Sequence, residues 1–559
     1  MLNGSPLNSG PLNSLPGGAA EPVYVVRGQS FVWALRVLVG GENLTAQLTG
    51  AVTIDREEAA AGIAGFDLFV APGAPVVPPD WKGRSVTIDY ITTSAGNTTE
   101  ARRFTGQVSR ADWNPVTRLL SCECSDQLQQ RVEGMTVAAI DALVGGYWSA
   151  DVFEPIEGRS HWDYALERLS TRPVSLDCAP TGELRVTSWY AGAPHFVFGE
   201  GTVAYQTLQL QQSDLSSTTN RIEIELSYRY DRLWQRNQHY TWLVPAGSFC
   251  DWRLDAHDLP TIDMVQSAVT GAGFAIVSES YVTAPLSAPD PCGTGSPWIN
   301  NFDDLVIGTG ITGGRRWVQT VTETYTLTLA LPAGEVAATQ VVQRQGATLQ
   351  IESTAAVEWT DGDMAGVATA YQDEFDEARR AAVFDVVANQ GVTELLAASR
   401  ETVLSWQVPA SMALGIDLIH TLELDCSGVR ARGKCRRVVD TFDLASGSAM
   451  TAISIAIMRG GGTSDPLIMP ARLGATPIDP GEGASIALPT QIGGRLEDPP
   501  YDETKLGFSG NWSGGGLGEQ YPRRFDLEAP EIPDTVRDEL PLTAATLFRV
   551  GVPNDLLEM

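Results

Sequence analysis

The chain has 559 residues, 43% of them hydrophobic, which is enough to bury a sizeable core in roughly three to five domains. It carries 68 acidic against 38 basic side chains, a formal net charge of −30, and a protein that grips nucleic-acid phosphates shows the opposite balance. No run of roughly 18 apolar residues is present, so no membrane span is expected, and nothing before Arg27 has the basic and apolar pattern of a secretory leader.

Residues 1–21 begin with a five-residue repeat: Leu2-Asn3-Gly4-Ser5-Pro6, Leu7-Asn8-Ser9-Gly10-Pro11, Leu12-Asn13-Ser14-Leu15-Pro16. That period fits neither helix nor strand, and the prolines block both. The segment reads either as a floppy tail or as an extended N-terminal arm whose Leu2, Leu7 and Leu12 dock on a partner subunit. Over 22–125 strands are expected at 23–27, 30–39, 49–55, 66–70, 85–91, 103–110 and 116–124. Short strands at this spacing predict a first β-barrel or sandwich.

The period changes over 126–215, which reads as a small α+β domain. Ser125-Asp126 precedes one helix and 136–144 forms a second. Ser160 caps a third, with Asp163 three residues on. A hairpin turns at Thr181-Gly182.

Strands resume over 216–460, expected as a second barrel domain. Ile222, Ile224, Leu226, Tyr228 and Tyr230 alternate with polar residues, and Val321, Tyr325, Leu327 and Leu329 alternate with threonines. A helical insertion is expected around 361–398, its helix over 361–389 ended by Gly391. Further strands are expected at 401–408, 418–425, 434–442 and 451–458.

The Pro/Gly-rich region 461–559 is different. Within 463–559 there are 12 Pro, 12 Gly, 16 acidic and 7 basic residues. Such a segment cannot build a core alone. Either it is disordered or it lies extended across another chain, and its retained aromatics (Tyr501, Phe508, Trp512, Tyr521 and Phe525) favour the second.

Candidate chemistry is sparse. Gly308, Gly310 and Gly313 match a dinucleotide-binding fingerprint, but no helix follows to hold a pyrophosphate, so they read as a loop before a strand. Asp255-Ala256-His257-Asp258 lacks a second histidine, and His161, His195, His239, His257 and His420 show no metal-site spacing. The seven scattered cysteines form neither a disulfide scaffold nor a zinc or iron–sulfur pattern, which fits synthesis in a reducing cytosol. Cys122 and Cys124 share one strand face and read as small buried residues. Asp373-Glu374 and Asp376-Glu377 read as a charged helix face, not as a facing pair for glycoside hydrolysis. No catalytic, cofactor or metal site is expected.

Three features in order resemble one family. They are the Leu-Asn-rich N-terminus, then Phe104-Thr105-Gly106-Gln107-Val108 with Leu119-Leu120-Ser121-Cys122-Glu123-Cys124-Ser125-Asp126, then Leu414-Gly415-Ile416-Asp417 with Gly433-Lys434-Cys435-Arg436-Arg437-Val438-Val439-Asp440 and Thr451-Ala452-Ile453-Ser454. Over about 22–460 the chain resembles the central hub proteins of phage baseplates and tail tips, the late-control D and T4-type hubs. The last hundred residues resemble nothing in that family.

The resemblance implies a β-rich α+β, multidomain fold: two tube-type β-barrels, a small α+β domain, a helical insertion and extended termini. It implies a homotrimer whose paired barrels form a pseudo-sixfold ring, adapting a hexameric tail tube to a threefold tip. Its implied partners are the distal tail or tail tube protein, the tape-measure protein and a central fibre or spike. DNA would pass through the channel without specific binding, and an acidic lumen would let it slide. The implied place is the virion, at the phage tail tip, after assembly in the host cytoplasm. No lysozyme-like or peptidase-like module is present, so no enzyme is implied. Two other readings are a polysaccharide depolymerase, for which no β-helix repeat is found, and a receptor-binding adhesin contacting the host through 463–559.

Overall fold

The computed structural model describes residues 22–25, 32–94, 97–204, 206–212, 219–244, 259–290, 292–332, 342–349, 369–474, 484–491, 502–510 and 522–559. Two large sheets, of 15 and 7 strands, organise them.

The larger sheet contains one motif twice. Ile63–Phe69, Ser85–Ser94, Asn97–Asn114 and Leu119–Ser125 follow one another in the chain. In space the first pairs with the fourth, the fourth with the third and the third with the second, all antiparallel. Thr402–Pro409, Thr421–Cys426, Val429–Asp443 and Ser448–Ile457 repeat that order and sense.

The likeness reaches single residues. In each unit the third strand bulges against the fourth, between Val108 and Arg110 and between Cys435 and Arg437. Two residues before each bulge stands a glycine, Gly106 or Gly433, whose absent Cβ would run into the carbonyl oxygen of Ser125 or Ala456. Only glycine allows backbone to approach backbone that closely.

Period-two alternation fills each unit's core, as the sequence pattern predicts. Val86, Ile88, Tyr90, Phe104, Leu120, Cys122 and Cys124 are buried together in the first. Leu404, Trp406, Leu422, Leu424, Val438, Ile453 and Ile455 are buried in the second. Among the described residues neither unit closes into a barrel, which corrects that expectation. The reason is edge occupancy. Leu48–Glu57 pairs with Ile63–Phe69 on one side and with Arg437–Asp443 of the second unit on the other. It has no edge left for Val32–Val39, which offers only Leu38 and Val39 to Glu42–Asn43. The two units therefore run on as one open sheet.

The small α+β unit forms as expected. Helices Leu128–Glu133, Val137–Val144 and His161–Leu169 pack with the hairpin Val174–Cys178/Leu184–Ser188. Thr136 and Ser160 cap the second and third, their hydroxyls accepting the Ala139 and Asp163 N–H groups at 3.3 Å.

The second sheet is built on two long antiparallel strands, Arg221–Leu243 and Val306–Ala330. At 3.4 Å per residue this arm extends about 75 Å. The glycines of the apparent nucleotide motif lie inside the second of these strands rather than in a loop. A Cβ at Gly313 would strike the Phe274 ring, so the small residues admit a neighbouring element.

The segment 216–460 thus serves two sheets instead of one barrel. Its helix is Glu377–Ala398, not 361–389. Asp376 caps it by accepting the Arg379 N–H at 2.9 Å, and Thr369–Asp373 instead pairs as a strand with Arg232–Arg236. Gly391 does not end the helix. It is buried within it, where a Cβ would collide with Leu329. Residues 351–368 lie outside the described residues.

The tail is extended, but the chain it lies across is its own. Leu467, Met469 and Leu473 pack on the core of the second sheet. Ile486–Leu488 pairs in parallel with Tyr240–Trp242, and Leu540–Arg549 pairs in parallel with Val321–Ala330. Leu557–Glu558 returns to the first sheet against Arg430–Ala431.

Candidate functional site

The most concentrated chemistry lies where the two repeated units meet the small α+β unit. Arg56, Arg103, Asp177, Asp417 and Asp440 are all buried there. Arg103 and Asp440 sit on the third strands of the first and second units. Arg103 Nε and Nη2 donate to the two Asp440 oxygens at 2.9 and 2.7 Å, and the Thr451 hydroxyl adds a third bond at 2.6 Å. Burial by itself would raise the Asp440 carboxyl, but Arg103, with Arg56 and Thr451, outweighs it and holds the group below the usual carboxylate range.

Asp417 gathers two further arginines. Arg56 Nη1, from the first unit, donates to it at 2.8 Å. Arg185, from the small unit, donates twice, at 2.5 and 2.9 Å, and reaches Asp177 at 2.7 Å through Nε. The forked Arg185 pair and the single Arg56 bond tie these parts of the fold together.

Two histidines complete the joint. The His195 and His420 rings lie 5.0 Å apart. His420 Nδ1 accepts the Asp417 N–H and His195 Nδ1 accepts the Thr421 N–H, both at 3.0 Å. An Nδ1 that accepts a backbone proton cannot carry one, so the His420 ring is held in its neutral form. Burial, then His195, push His420 down to about 4, with Lys434 and Arg185 adding to the push and Asp417 opposing it.

The sign of the pH effect follows. A free histidine titrates near 6.5. Between that value and about 4 the unfolded chain binds more protons at this position than the folded one. Its contribution to stability is fully present above about 6.5, declines as pH falls through this window, and is gone below about 4. His420→Asn keeps an acceptor for the Asp417 N–H and removes the titration. We expect it to flatten the fall in Tm between pH 6.5 and 4, read by scanning calorimetry.

The joint has the character of a clamp rather than of a reaction centre. Its carboxylates are taken up by arginines. The Cys435 thiol beside it is buried and pushed up to about 12, chiefly by burial. Among the described residues no group of three His, Cys, Asp or Glu side chains is placed to hold a metal ion.

The partner-binding residues expected from sequence fall elsewhere. Phe508 and Phe525 are buried edge-on against Trp242, with ring centroids at 5.4 and 5.9 Å, so they cover the chain's own arm. Leu2, Leu7, Leu12, Tyr501, Trp512 and Tyr521 lie outside the described residues, as do residues 255–258. Asp373, expected on a charged helix face, is paired with Arg232 at 2.6 Å and Arg472 at 2.7 Å. Cys122 and Cys124 are buried free thiols, and Cys426 and Cys435 are also free. Cys292 is disulfide-bonded, a feature the scattered cysteines do not reveal.

Among solved structures, the chain is similar to the tail protein from Neisseria meningitidis MC58, at 10% identity and a TM-score of 0.37 over 76% of this chain and 96% of that one. It is also similar to the 43 kDa tail protein of prophage MuSo2 from Shewanella oneidensis, at 11% identity and a TM-score of 0.35 over 76% and 98%. A third is the prophage tail protein gp18 from Listeria monocytogenes EGD-e, at 7% identity and a TM-score of 0.30 over 76% and 94%. No family model and no curated protein matches the sequence.

Proposed function

We propose that the chain is a structural protein of a phage tail tip or baseplate, its central hub. In this reading three copies form a ring that adapts a hexameric tail tube to a threefold tip. The supporting observation is the internal duplication. Two units with one strand order, one bulge position and one obligatory glycine give six similar units in a trimer. The sequence motifs that resemble hub proteins sit on these units. Gly106 and Cys122–Cys124 belong to the first, and Gly433–Asp440 and Thr451–Ser454 belong to the second.

The reading brings its partners with it: tail tube or distal tail protein, tape-measure protein, and a central fibre or spike. The net charge of −30 suits a channel along which DNA slides without being held.

The test is mass and symmetry together. Light scattering on the purified chain is expected to give about 180 kDa, three times 59.9 kDa, with threefold rings in negative-stain images of the same peak. A complete tail tip assembled in particles lacking this chain would overturn the reading.

A further inference from the structure

The long two-stranded arm ends in a small domain with its own core, including Tyr240, Trp242, Val265, Phe274 and Ile311. At this end large apolar side chains stand in solvent: Leu243, Val282, Leu286, Ile299 and Phe302 are between 54% and 71% exposed. Leu243 and Val282 flank Gly308 in register, so all three share one sheet face. Soluble chains rarely leave such a cluster uncovered.

The loop carrying the other three residues is built to hold them out. Ser287 and Ala288 pair with Ile299 and Trp298. Trp298 Nε1 donates to the Pro285 carbonyl at 2.5 Å, and the Asn300 N–H donates to the Leu286 carbonyl at 2.7 Å. Asn300, only 8% exposed, gives both ends of its side chain to Phe302. Its Oδ1 accepts the Phe302 N–H at 2.9 Å, and its Nδ2 donates to the Phe302 carbonyl at 2.5 Å. A buried amide thus fixes the backbone beneath a 63% exposed phenyl ring, so little ordering entropy remains to be lost on contact.

Charge selects the occupant. Residues 259–314 contain five acids and no lysine or arginine. Asp303 and Asp304 follow Phe302 directly, and no ion pair among the described residues engages them. Arg523 and Arg524 lie along the helix Ile262–Gly271. There Arg523 bonds the Leu259 carbonyl and Arg524 pairs with Asp526.

We infer that this tip is a docking surface for a different protein, one whose matching face is apolar and rimmed by arginine or lysine. An anionic bilayer, or a second copy of the same face, sets acid against acid and is selected against.

The test uses the full chain and two fluorescent amphipathic helical peptides. Both have a leucine face, flanked by arginine in one and by glutamate in the other. The wild type is expected to bind the arginine peptide and not the glutamate peptide. Ile299→Ser with Phe302→Ser is expected to weaken that binding by at least about tenfold with an unchanged Tm, since both side chains are exposed. Asp303→Lys with Asp304→Lys is expected to reverse the preference between the peptides. Equal binding of both peptides, no binding of either, or indifference to either pair of substitutions would overturn the proposal. So would binding to phosphatidylglycerol vesicles, or a wild-type dimer in sedimentation that Phe302→Ser abolishes. The peptide and vesicle outcomes do not bear on the ring, which the mass and symmetry measurement tests separately.

Discussion

Replacing Arg103 with alanine is expected to lower the unfolding free energy of the chain by about 3–5 kcal/mol, the usual cost of removing one member of a buried ion pair. Asp440 is 0% exposed and takes two of its three side-chain hydrogen bonds from Arg103. Without the guanidinium it must either stay charged in a dry site or take up a proton and lose the ion-pair geometry. The effect is one of an orphaned charge, not of a lost attraction. Arg103→Met combined with Asp440→Leu is therefore expected to recover most of the loss, because both desolvation penalties go together. Denaturant unfolding of the single and double variants checks both statements. A single variant within 1 kcal/mol of wild type would show that the two repeated units do not depend on this clamp.

Deleting residues 463–559 is expected to unfold the second sheet rather than trim an appendage. Leu488, Phe508, Phe525, Ile532, Val536, Phe548, Val550 and Val552 are all buried tail residues. At about 1.5–3 kcal/mol for each buried apolar side chain, their upper-bound contribution is on the order of 12–24 kcal/mol. That matches or exceeds the roughly 5–15 kcal/mol by which a whole domain is stable. The deletion also strips Leu540–Arg549 from Val321–Ala330 and exposes Trp242. We expect aggregation or loss of near-ultraviolet circular dichroism from the arm. A soluble, cooperatively unfolding truncated chain would contradict this. The same result bears on the adhesin reading: removing the tail cannot isolate a host-contact function when its described residues form part of the chain's own sheets.

Much of the fold was legible because it is local. Alternation marked the strand through Ile222 and Tyr230, and the hydroxyl cap at Ser160 marked a helix. What failed was decided by distant partners. The helix expected from 361 begins at Glu377 because Asp373 is drawn to Arg232, which is 141 residues away. The glycines at 308–314 read as a loop before a strand, yet they lie inside Val306–Ala330, with Gly313 against Phe274. The candidate site was invisible for the same reason: Arg103 and Asp440 are 337 residues apart, and Arg56 and Asp417 are 361 apart. No spacing rule covers such separations. Composition set the tail apart from the rest, but it cannot say whether the covering chain is another or the same, and the described tail residues lie on their own chain.

The return of the tail has a consequence for how the protein is made. A strand at 540–549 completes a sheet begun at 221, and Leu557–Glu558 closes on the first sheet. A ribosome that has finished most of the message still holds a chain whose last strands are missing. The arm therefore settles only once these strands have been made, when its sequence-distant ladder can form, which makes the step slow by topology. A chain broken off early lacks those strands and has no folded arm. Folding of the arm is thereby tied to translation of its most distant strand.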